Sequence, residues 1–115
     1  MFDMGRIVRS YFDAIITCSI LRWLQPGELW WGERDDRTSV RDSVSFLLDQ
    51  AEYGEEQVLL IPELLLAAAQ GKIPRHAHDI VRDRAMETSA AWPQETSFND
   101  ARGAVEIGMR LLEMG

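Results

Sequence analysis

Cysteine and lysine are both nearly absent. The single Cys18 gives no disulfide framework and suits a reducing compartment. It lies in an apolar run, and the nearest positive charge along the chain is Arg22. A reactive thiol needs a basic neighbourhood, so Cys18 reads as a small core side chain. Of twelve basic residues only Lys72 is lysine. No G-x-S-x-G nucleophile turn and no glycine-rich phosphate loop occur. The glycines are scattered and fall mostly where helices are expected to end. No uncharged run approaches a membrane span, stretch 14–21 being far too short. The start MFDMGRIVRS is basic and then apolar, but Asp13 interrupts it and no small-residue cleavage site follows. A cytoplasmic protein without a membrane anchor is therefore expected, with no internal repeat and no low-complexity tract.

What is present is ordinary in amount and uneven in placement. A chain of 115 residues, 46% hydrophobic and 27% charged, is expected to make one globular domain. Residues 28–63 carry ten acids against three arginines, which is the whole formal net charge of -7. The remaining residues balance at nine of each sign. An acidic region repels nucleic acid at long range and favours basic partners.

Hydrophobic periodicity predicts an all-α bundle of about five helices. The first spans 3–24, with Met4, Ile7, Val8, Tyr11, Phe12, Ile15, Ile16 and Ser19 on the expected core face and Arg6, Arg9, Asp13 and Thr17 on the wet one. It stops before Pro26-Gly27, because a residue before proline is pushed out of helical geometry. Its last turn is apolar nearly all round and calls for a cover. A second helix starts at Thr38 or Ser39, with Ser39 and Asp42 as a capping-box-like pair, and runs to Gly54 with Val40, Val44, Leu47, Leu48 and Ala51 inward. Segment 55–70 is apolar on most sides and is predicted to be the central helix, kinked or restarted at Pro62 and ended by Gly71. A fourth helix over 75–88 buries Ala77, Ile80, Val81 and Ala85. After a loop with Trp92-Pro93, the fifth starts at Ser97, with Asp100 three residues on. Its core stripe is Ala101, Ala104, Val105, Gly108, Met109, Leu111 and Leu112, and the small residues allow a close neighbour.

The chemistry-bearing residues do not assemble into a catalytic, cofactor or metal signature. In HAHD, His76 and His78 lie two apart and face away from each other on a helix, so no metal site is expected. Segment 62–86 loosely resembles a helix-turn-helix, with Ala67 four before Gly71 and Arg75, His76, Arg82 and Arg84 on the second helix. Asp79 and Asp83 interrupt that basic set, and the field of the domain opposes a polyanion, so nucleic acid is not the expected partner.

The remaining signal is ELWWGERDD at 28–36. Trp30 and Trp31 fit either a lid over the end of the first helix or an interface anchor. Tryptophan and arginine dominate binding hot spots, and Arg34 and Arg37 stand beside them. Asp35, Asp36, Asp42, Asp49, Glu52, Glu55 and Glu56 would supply a steering field. The expected function is a non-catalytic protein that binds a larger, locally basic protein partner through 28–56, in an inhibitor, immunity-type or adaptor role. Carboxylates on a helical frame can also fill a nucleic-acid groove in such a partner by mimicry. The alternatives are a DNA-binding regulator using 62–86 and a homodimeric assembly protein using leftover apolar surface on the first or last helix.

Overall fold

A computed structural model of the chain describes residues 4–25, 36–51 and 54–114, with side chains from residue 12 onward apart from residue 54. The described residues form five α-helices and no strand: α1 (Met4–Trp23), α2 (Arg37–Gln50), α3 (Gly54–Ala69), α4 (His78–Ala90) and α5 (Asn99–Met114). Short 3-10 turns, Arg75–Ala77 and Thr96–Phe98, lead into α4 and α5. The fold is an all-α bundle, as the periodicity predicts.

Helix α3 is the centre because it is apolar on most sides. It packs against α1, α4 and α5, while α2 lies across α4 and the turn before it. Ile61, Leu64, Leu65 and Ala68 of α3 are buried in the main core. Val40, Val44 and Leu48 of α2 and Val81 and Ala85 of α4 close over them. A second small cluster, Ala14, Cys18, Ala51 and Leu60, joins α1 to α3 and to the end of α2. The helix continues through Pro62, although a proline there forfeits a backbone hydrogen bond at a cost of about 3 kcal/mol. Its many buried neighbours outweigh that cost.

Gly71 ends α3 as expected. Its φ of 82° is left-handed. Its N–H bonds the Ala68 carbonyl at 3.1 Å, and the Lys72 N–H bonds the Ala67 carbonyl at 2.9 Å. These two bonds are the Schellman pattern that satisfies the last carbonyls of a helix. Gly108 has a packing role instead. A Cβ there would sit 2.9 Å from Leu65 Cβ, so glycine sets how closely α5 approaches α3.

Several sequence expectations need correction. The N-cap of α2 is Asp36, whose carboxylate accepts from the Ser39 N–H at 2.8 Å, so the helix begins two residues before Ser39. Ala51 caps its other end, before Gly54. The fifth helix is entered through the 96–98 turn rather than at Ser97, and that turn buries Phe98. Phe98 and Trp92 pack with ring centroids 5.8 Å apart, a small aromatic core under a segment read as plain loop. Leu111 is exposed rather than part of the core stripe.

The largest correction concerns α1. Its buried face is Ala14, Cys18 and Leu21, not Phe12, Ile15 and Ile16. Helix α1 carries two apolar stripes. The stripe of smaller side chains faces α3, where small residues permit close approach, and the Cys18 thiol reaches the Leu59 carbonyl at 3.3 Å. The bulkier stripe is left outside.

Candidate interaction surface

That outward stripe is the most unusual feature of the described surface. Phe12, Ile16, Ile20 and Trp23 are 58%, 55%, 53% and 83% exposed, with Ile15 beside them. They recur at helical spacing and so share one side of α1. Scattered exposed apolar residues are normal, whereas a contiguous patch marks a contact surface.

Helix α2 adds one aromatic to it. Val40, Val44 and Leu48 point inward, which turns Phe46 to the opposite side, 63% exposed. Asp42 lies four residues before Phe46 and Asp49 three after it, so the two carboxylates flank the ring along one exposed line. Between α1 and α2 lies a groove of about 240 Å³. Ala14, Ala51 and Leu60 form its floor, and Ile16 and Phe46 are among its walls, with Asp13 at its rim.

The expected site residues fare unevenly. Trp30, Trp31, Arg34, Asp35 and Glu52 lie outside the described residues, as does the proposed tryptophan lid. Asp42, Asp49 and Glu55 are exposed, as a steering field requires. Asp36 serves as a helix cap. Glu56 is a correction: at 1% exposed it is buried in the first turn of α3, where the helix dipole favours a carboxylate, so it cannot meet a partner. Arg37 is exposed but engaged, donating to both Asp79 carboxylate oxygens and to the His76 carbonyl. Its guanidinium holds the Asp79 carboxyl down to about 2. Phe46 was missed, and the apolar surface left over on α1 was expected only for the homodimer alternative, with Phe12, Ile15 and Ile16 placed on the core face instead of in it. The available signal was a large aromatic on the wet side of an otherwise regular amphipathic helix.

Other polar groups are structural. Lys72 is buried, and its Nζ donates to the Leu21 and Arg22 carbonyls at 2.9 Å each, closing the C-terminal end of α1. Arg22 Nε donates to Glu63 Oε1 at 2.9 Å, a second tie between α1 and α3. Burial, aided by nearby Glu63 and opposed by Arg22, pushes the Cys18 thiol up to about 11. On the second helix of the helix-turn-helix candidate, Asp79 is held by Arg37, Arg82 Nε lies 3.6 Å from Asp83, and Arg84 Nη1 lies 3.8 Å from Glu87. Basic and acidic side chains therefore alternate there. His78 Nε2 is 2.9 Å from the Ile73 carbonyl. Among the described residues no group of three His, Cys, Asp or Glu side chains converges as a metal site. Among them, too, no helix is long and apolar enough to cross a membrane.

Comparison with known proteins supplies no relative: no protein-family model, curated protein or solved structure matches the chain.

Proposed function

We propose that this chain is a small, non-catalytic binding protein that docks onto a larger, locally basic protein partner, in an inhibitor, immunity-type or adaptor role. The observation that carries the reading is the uncovered apolar stripe of α1 beside the Asp42–Phe46–Asp49 line of α2. Burying a side chain of the size of Phe or Ile is worth about 1.5–3 kcal/mol. Several together offset the several kcal/mol that association costs in lost freedom. The flanking carboxylates speed encounter with a basic surface and select against acidic ones.

The test is a cross-linked capture from the native host, followed by affinity measurement on the purified partner. The comparison variant is Ile16→Ala/Ile20→Ala/Phe46→Ala, whose three positions are exposed and leave the core intact. The reading expects at least about a tenfold loss of affinity in the variant, and weaker wild-type binding as salt rises. A variant that binds as wild type, with no salt dependence, defeats it.

One observation favours a second reading, assembly of copies of this chain through α1. Between Ile15 and Trp23 the stripe carries no carboxylate and one cation, Arg22, which is already paired with Glu63. Sedimentation at two concentrations separates the readings, since a dimer through α1 dissociates on dilution and is abolished by Ile16→Asp/Ile20→Asp.

A further inference from the structure

The outer stripe of α1 matches itself when one helix is reversed. Phe12, Ile16, Ser19 and Trp23 are exposed and follow one another at intervals of four, three and four residues. That is the alternating spacing by which two helices interlock side chains. The intervals read the same from either end. In an antiparallel pair Phe12 of each copy therefore faces Trp23 of the other, and Ile16 faces Ser19. A surface complementary to itself about a two-fold axis is what an isologous dimer requires.

The centre of the stripe fits by size. Ser19 is the smallest of the side chains that line a shallow hollow with Ile15, Ile16, Ile20, Trp23 and Leu24. In the antiparallel register Ile16 of the second copy enters that hollow. A parallel pair sets serine against serine there and leaves a gap. The polar member of the stripe also tolerates drying. The Ser19 hydroxyl donates to the Ile15 carbonyl of its own helix at 3.1 Å, so covering it orphans no donor.

Area and charge agree with a second copy as the occupant. The exposed parts of Phe12, Ile15, Ile16, Ile20 and Trp23 amount to on the order of 600 Å² per chain. Two copies then cover about 1,200 Å², above the roughly 1,000 Å² that a specific interface needs. From Ile15 to Trp23 there is no carboxylate to attract a basic partner, and Arg22 is already paired with Glu63.

We propose that α1 pairs antiparallel with α1 of a second copy, Ile16 of each seated over Ser19 of the other and Phe12 against Trp23. The proposal rests on the second reading above, assembly through α1, and gives that assembly its geometry.

The test is sedimentation equilibrium of the full chain, wild type beside Ser19→Ile, Ile16→Ser and the exchange Ile16→Ser/Ser19→Ile. Both positions are exposed, so the core is untouched. Each single change is expected to weaken the dimer about tenfold, one by overfilling the hollow and the other by emptying it. The exchange restores large against small and recovers most of the loss. Added salt tightens the wild-type dimer, because both copies carry a formal charge of -7, whereas it weakens docking on a basic protein.

A dimer that Ser19→Ile strengthens, or that the exchange fails to restore, overturns the antiparallel register and leaves assembly through α1 standing. A chain that stays monomeric throughout, or a dimer indifferent to Ile16→Asp/Ile20→Asp, overturns both. The capture experiment decides the docking reading separately.

Discussion

The guanidinium of Arg37 grips both carboxylate oxygens of Asp79, Nη1 on Oδ1 at 2.7 Å and Nη2 on Oδ2 at 2.8 Å. This fork joins the first residue of α2 to the first turn of α4 and steadies the helix that carries Phe46. It also removes Arg37 from the set of side chains free to meet a partner.

The pair has a pH signature. Arg37 lowers the Asp79 carboxyl from 3.8 to about 2 in the folded chain. The unfolded chain therefore takes up that proton first as the solution is acidified. The stabilisation is whole above about pH 4 and fades as pH falls toward about 2. Carboxyl chemical shifts followed against pH check this: Asp79 titrates near 2 in the wild type and moves back up toward the ordinary carboxylate range in Arg37→Gln.

Two glycines of α5 behave oppositely when given a methyl group. Gly108→Ala forces Cβ to 2.9 Å from Leu65 Cβ. Such overpacking costs about 1–3 kcal/mol, more than the gain of up to about 1 kcal/mol from replacing glycine inside a helix. Gly103 has nothing within 4 Å of the same position. Gly103→Ala stabilises by about 0.5–1 kcal/mol. Thermal unfolding of the two variants gives Tm shifts of opposite sign.

Lys72→Met keeps the stem and removes the ammonium that closes α1. The Leu21 and Arg22 carbonyls lose their charged donor, and the expected loss is about 1.5–3 kcal/mol. Urea unfolding reads it as a lower midpoint at unchanged slope. A midpoint equal to wild type shows that water or another group replaces the lysine.

Much of this fold is legible in the sequence because local rules agree with the final packing. The Val40, Val44 and Leu48 stripe, the all-round apolar character of α3 and the glycine at position 71 each dictate one outcome. The face of α1 is different. Phe12, Ile15 and Ile16 form as good an apolar stripe as Ala14, Cys18 and Leu21, and spacing alone favours the bulkier one. What decides is the Ala51 and Leu60 surface it meets, which lies far away in the chain. The same holds for Lys72, whose charge reads as surface and whose burial depends on the distant end of α1. Of the interaction site, the exposed acids Asp42, Asp49 and Glu55 follow from local sequence. The groove does not, because its two walls come from Ile16 and Phe46, thirty residues apart.

The uncovered stripe of α1 also sets the colloidal behaviour of the protein. A molecule carrying a formal charge of -7 repels its copies at neutral pH, and this repulsion works against contact between Phe12, Ile16, Ile20 and Trp23 and their counterparts, most strongly at low salt. The isoelectric point is near 4.7. As a solution is brought toward it, the repulsion vanishes while the apolar surface stays, and clouding begins although every helix is still in place. Storage well above that pH keeps the chain dispersed, and added salt narrows the safe range by screening the same charge.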